Sequence, residues 1–133
     1  MQIKFEIPFR LPSLNDYIKE CRNNKYGAAT YKKQIENSIL WVLKNVRQKV
    51  TEPIIVNFIW YENNSKRDKD NVCSAKKYIL DALQKSGILP NDNNHYILGF
   101  TDNFVYNQGD KVVVILETFY TENLKKLEVI PNE

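Results

Sequence analysis

Histidine is nearly missing from this chain of 133 residues, with His95 standing alone, and cysteine is scarce, with only Cys21 and Cys73. The two cysteines have no CxxC spacing. Together with one histidine they fall short of the four ligands of a closed zinc site. A hydrolase of the Ser-His-Asp type would have to use His95. Two widely separated thiols read as free groups in a reducing cytoplasm. Long apolar runs are missing too. Runs such as Val112 to Leu116 are far below the roughly 18–20 residues that span a bilayer. The first residues alternate as a strand does and carry no apolar signal-peptide core. The expectation is a cytoplasmic chain with no membrane partner. At 43% hydrophobic and 26% charged, the composition suits one globular domain over residues 1–133.

Charge is spread unevenly. Residues 17–49 hold eight cations, Lys19, Arg22, Lys25, Lys32, Lys33, Lys44, Arg47 and Lys49, against the two anions Glu20 and Glu36. A second cluster, Lys66-Arg67-Asp68-Lys69-Asp70, alternates in sign. A basic half on a chain of net charge +3 suits a polyanionic partner. A solvated helix face explains a charge run equally well.

Periodicity gives the elements. Ile3, Phe5 and Ile7 alternate with polar residues as a half-buried strand does. Ser13 and Asp16 have the spacing of a capping box. Residues 13–29 otherwise read as irregular. Tyr31, Ile35, Ile39, Val42, Leu43, Val46 and Val50 mark one helix face. Ile54 to Trp60 is rich in β-branched and aromatic residues, as strands are. Val72, Ala75, Ile79, Ala82 and Leu83 form a second helical stripe, with Gly87 placed for a left-handed C-cap. Residues 97–106 and 111–118 read as two strands joined by the hairpin turn Asn107-Gln108-Gly109-Asp110. Residues 119–133 form an acidic extension in which Thr121 is placed to cap a short helix. The expected class is α+β, with element order β-α-β-α-β-β and helices packed on a mixed sheet.

The chemistry-bearing segment lies between the second strand and the second helix. In extended chain Asp68 and Asp70 point the same way, with Cα atoms about 6–7 Å apart. Two carboxylates that close repel unless a cation lies between them. Oxygen ligands of this kind hold Mg²⁺ in phosphate chemistry, and adjacent Lys66, Arg67 and Lys69 would face phosphate. This is an arrangement for metal-assisted phosphodiester hydrolysis. Capping explains the same residues: Ser65 with Asp68 has capping-box spacing, and Asp70 or Asn71 is a ready N-cap. Asp92 adds a third carboxylate in a polar loop that turn chemistry also accounts for. Lys77 and Asp81 are spaced to pair along the helix. Asp102 reads as a turn or edge residue, and His95 as a surface histidine.

Taken together, Arg67-Asp68-Lys69-Asp70-Asn71, Lys76-Lys77, Leu80-Asp81-Ala82-Leu83, Gly87-Ile88 and Asn91-Asp92 resemble the RusA family of Holliday-junction resolvases. Pro12-Ser13-Leu14-Asn15 is similar to that family's Pro-Ser-x-Asn segment. The resemblance covers residues 3–118 in element order and is most specific across 67–92. It implies a small dimeric endodeoxyribonuclease that uses Mg²⁺, with Mn²⁺ as an alternative, to cut four-way junctions symmetrically. It implies Asp68, Asp70 and Asp92 as metal-binding acids and Lys76 as the essential helix lysine, with Lys77 able to take that role. Two departures stand out. Ser74 occupies the place, four residues after the second acid, where better-known members carry the lysine. Asn91 stands where some carry a further acid.

A single helix from Asn71 to Lys85 would be about 22 Å long, and five extended residues reach only about 17 Å. Asp92 therefore returns to Asp68 and Asp70 only if the helix is shorter or kinked, or if a two-fold homodimer supplies Asp92 in trans. DNA contacts are expected from Lys66, Arg67, Lys69 and Lys77, extended by Arg22, Lys25, Lys32 and Lys33. Tyr17, Tyr26 and Tyr31 interleave with these cations as candidate stacking groups, although Tyr31 begins the helix stripe and reads better as core. Two other classes compete: a nucleic-acid-binding domain without catalysis, which uses only the basic face, and a protein-interaction domain facing an acidic partner.

Overall fold

A computed structural model describes residues 1–119, with the side chains of Lys25 and Tyr26 excepted. Most of the acidic extension, with Thr121, lies outside the described residues. The elements are β1 (Gln2–Ile7), α1 (Leu14–Asn23), α2 (Lys25–Leu43), β2 (Ile54–Glu62), α3 (Lys69–Cys73), α4 (Lys76–Lys85), β3 (Ile97–Tyr106) and β4 (Lys111–Thr118). The class is α+β, with one mixed four-stranded sheet in the order β1-β4-β2-β3. β4 runs antiparallel to both its neighbours, and β2 runs parallel to β3.

Alternation sets the faces. Phe5, Val114 and Phe58 stand in register on one row, with Ile3, Leu116 and Val56 on the next. All six are buried with Ile39, Ile79 and Leu83 in one apolar core beneath the helices. Among the described residues no helix is long and apolar enough to cross a membrane.

Four local expectations change. β3 and β4 do not form a hairpin, because β2 lies between them. β2 buries every second side chain along its length, and a strand so buried needs backbone partners on both edges. The 107–110 loop therefore steps across its end. Asn107 donates its backbone N–H to the Glu62 carbonyl at 2.9 Å, and Asp110 accepts from the Asn63 N–H at 2.8 Å.

The basic helix begins at Lys25 and ends at Leu43, so part of the segment read as irregular is helical. Ser13 and Asp16 form the capping box of α1, which runs to Asn23. Asn24 then turns extended at φ −157°, separating α1 from α2. At the far end, Val50 leaves the helix and donates to the Ile88 carbonyl at 2.8 Å.

The second helix is two helices. Ser74 donates its hydroxyl to the Asn71 carbonyl at 2.6 Å and accepts the Leu14 N–H at 2.8 Å. A serine bonding back to its own preceding turn competes with the helical ladder, and here it also ties the start of α1 to the break between α3 and α4. Gly87, at φ +82°, follows α4 as the C-cap reading expects.

The capping box read at Ser65 does not form either. Asp68 is the N-cap of α3, but its side chain makes no capping hydrogen bond.

Candidate active site

Asp68 is the N-cap of α3 and Asp70 lies in its first turn. The expectation of an extended chain that points both carboxylates the same way is corrected: residues two apart at a helix start do not face each other. Asp68 and Asp70 are exposed, and neither side chain takes part in an ion pair or hydrogen bond among the described residues. They are separated by Lys69, whose ammonium lies 5.3 Å from the Tyr106 ring and 5.6 Å from the Phe104 ring, both on β3. Cation–ring contacts of this length hold α3 over the end of β3. Lys66 is exposed beside a cleft of about 310 Å³ that it lines with Arg10, Glu62 and Asp110.

Arg67 faces inward. Its Nε donates to Glu62 Oε1 at 2.7 Å and its guanidinium reaches the Leu11 carbonyl at 3.1 Å. Those bonds join the segment after β2 to the one after β1. The expectation that Arg67 faces phosphate is corrected accordingly. A buried guanidinium needs a fixed anion, and Glu62 is that anion.

The adjacent lysines Lys76 and Lys77 diverge. Lys76 turns toward the sheet, where its ammonium meets Asp102 Oδ2 at 2.9 Å and lies 4.5 Å from the Phe100 ring and 5.2 Å from that of Phe58. The other oxygen of Asp102 accepts the indole N–H of Trp60 at 2.8 Å. Lys77 turns toward α2. It pairs with Asp81 at 2.9 Å, the spacing along the helix read from the sequence, and with Asp92 at 3.7 Å. The bond to Asp81 and the charges of Asp81 and Asp92 push the Lys77 ammonium pKa up, against the opposing effect of burial. Asp81 also meets Lys32 at 3.7 Å, and Lys32 in turn meets Glu36, which binds Lys85. This ladder neutralises Lys32 and Lys77, two of the expected DNA contacts. Arg22 and Lys33 remain exposed without an ion pair among the described residues. The Lys25 side chain is outside the described set.

Asp92 thus reaches the first turn of α4. The helix is broken at Ser74 and α4 is only ten residues long, which shortens the path back from Asp92. Even so, Asp92 faces Lys77, and no group of three or more acidic, histidine or cysteine side chains stands close enough to share a metal among the described residues.

The residue that sequence reasoning undervalued is Asp102. It lies on the edge strand, as read, but it points under the helices rather than into solvent. Its register partner is Phe58, so it ends the apolar row of Phe5, Val114 and Phe58. The signal was present in period two: Phe100, Asp102 and Phe104 share one strand face. Cys73 ties this group to α3. Burial pushes its thiol pKa up, Asp102 and Asp70 push it the same way, and Lys76 opposes them. Asp70, Cys73, Lys76 and Asp102 therefore share one electrostatic neighbourhood. Tyr78 sits on the opposite side of α4, toward Tyr17 and Tyr31; burial chiefly, with the charges of those phenols, pushes its hydroxyl pKa up to about 12.

No family model matches this chain, and no curated protein matches it.

Proposed function

We propose that the chain is a metal-dependent, structure-selective endodeoxyribonuclease that resolves four-way DNA junctions by symmetric phosphodiester hydrolysis, acting as a homodimer. The observation that carries this reading is the state of Asp68 and Asp70. They are two solvent-facing carboxylates one residue apart, and no cation of the described chain neutralises them. Exposed carboxylates without a protein partner are the oxygen ligands a hard divalent cation takes together with retained waters. The resemblance to the RusA family across residues 67–92 supplies the reaction.

Carboxylate oxygens suit Mg²⁺, and Mn²⁺ suits the same oxygens. Asp68 and Asp70 would hold the ion. Asp92, held by Lys77 in its own chain, would serve the partner protomer. When bound, the ion activates water and clamps the scissile phosphate. The chain's own groups then act as cations around that phosphate. Lys66 and Lys69 bind the flanking backbone, and Arg22 and Lys33 extend the track with little sequence preference. Lys76 offsets charge that builds on the phosphate in the transition state. Free Cys21 and Cys73 suit a reducing cytoplasm.

The test is cleavage of a labelled four-way junction beside a linear duplex, in Mg²⁺ or EDTA, with wild type and Asp70→Asn. Paired symmetric nicks at the junction, lost in EDTA and in the variant, are expected. Tight junction binding with no cut in either Mg²⁺ or Mn²⁺ would replace this reading with the non-catalytic DNA-binding one.

A further inference from the structure

Lys76 is held more firmly than a surface lysine. Its side chain is 20% exposed and that of its partner Asp102 is 25% exposed. Two aromatic rings flank the ammonium, and the carboxylate that binds it is itself fixed by a buried tryptophan through Trp60 Nε1–H. A lysine stem has four rotatable bonds, and fixing it costs entropy that an exposed pair does not recover. Here the acceptor is pre-set: Trp60 is buried in the core and donates to one oxygen, which aims the other at Lys76. Phe100, 44% exposed, leaves the site open on the solvent side. The chain Trp60–Asp102–Lys76 therefore runs from the core to the first residue of α4, which follows α3 and its Asp70 in the chain.

We infer that Asp102, fixed by Trp60, is a positioning residue that holds the Lys76 ammonium where the scissile phosphate reacts. The inference rests on the nuclease reading and chooses between the adjacent lysines. Lys76 serves the reaction, and Lys77 belongs to the ion-pair ladder between α4 and α2. Asp102 touches neither phosphate nor metal and acts through Lys76 alone.

Asp102→Asn is the informative variant, because its amide oxygen still accepts the Trp60 N–H while the anion is lost. Single-turnover nicking of the four-way junction in Mg²⁺ is compared with junction affinity in Ca²⁺ for wild type, Asp102→Asn, Lys76→Met and the double variant. The expected result is at least a tenfold slower cut in each single variant, affinity within about twofold of wild type, and no further loss in the double variant. A structural role alone would lower affinity and melting temperature together with rate. Nitrogen-15 lysine spectra supply a readout independent of cleavage: a slowly exchanging Lys76 ammonium signal in the wild type that vanishes in Asp102→Asn. Wild-type cutting with undiminished cutting by Asp102→Asn overturns the inference and leaves the nuclease standing. A missing wild-type ammonium signal overturns the contact itself. A wild type that cuts nothing overturns the nuclease reading, and the inference with it.

Discussion

Arg67 and Glu62 form a nearly dry ion pair, 2.7 Å between Nε and Oε1, with side chains only 12% and 6% exposed. Removing one partner leaves the other charged and buried, which costs about 3–5 kcal/mol. Arg67→Met and Glu62→Gln should each lower unfolding stability by that order, as read by urea titration. The double variant should recover part of the loss. If Arg67→Met kept full stability and only weakened DNA binding, the inward placement of this arginine would be wrong.

Ser74 joins two segments far apart in the chain, through the Leu14 N–H and the Asn71 carbonyl. Ser74→Ala removes both bonds. A net loss of about 1 kcal/mol is expected, seen as a lower urea midpoint with an unchanged slope. Amide exchange at Leu14 should rise more than at Tyr17, whose N–H bonds to the Ser13 carbonyl. Equal exchange at both sites would count against the tie.

Tyr78 makes stability fall in alkali. Its native pKa of about 12 exceeds the ordinary value of 10.0. The unfolded chain therefore loses its phenolic proton first as pH rises. The contribution is complete below pH 10 and is lost as pH climbs to about 12. Tyr78→Phe should flatten that part of the stability curve, and absorbance near 295 nm should show one fewer late-titrating tyrosine. An unchanged alkaline slope in the variant would remove Tyr78 as the cause.

The loop that steps across the end of β2 needs one glycine. Gly109 sits at φ +89° with open space around its Cα, so a side chain there meets backbone strain and no clash. Gly109→Ala is expected to cost about 1–2 kcal/mol. Gly109→Asn should cost less, because asparagine tolerates this region better. Equal melting temperatures for the two variants would contradict that order.

What could be read in advance was local. The alternation at Ile3, Phe5 and Ile7, the capping box at Ser13 and Asp16, the Lys77–Asp81 pair and the Gly87 cap all depend on residues a few positions apart, and the structure has each of them. The departures come from partners far away in sequence. Asn107-Gln108-Gly109-Asp110 has hairpin composition, but β2 needs both its edges paired, so β4 settles on its other side. Ser74, which bonds back to the Asn71 carbonyl and accepts the Leu14 N–H, stands at the break in the second helix. Glu62 draws Arg67 inward, and the parallel register of β2 with β3 brings Trp60 to Asp102. The Asp68-x-Asp70 spacing and the partner of Lys77 were visible, but Asp102, the partner that draws Lys76 the other way, was not.

The sheet order also sets a timetable for a chain emerging from the ribosome. β1 is made well before β4, its strand partner among the described residues. At synthesis rates of about 5–20 residues per second, Ile3, Phe5 and Ile7 wait roughly 5–20 s for Val112 to Leu116. During that interval the nascent chain carries an unpaired apolar strand until β4 is made.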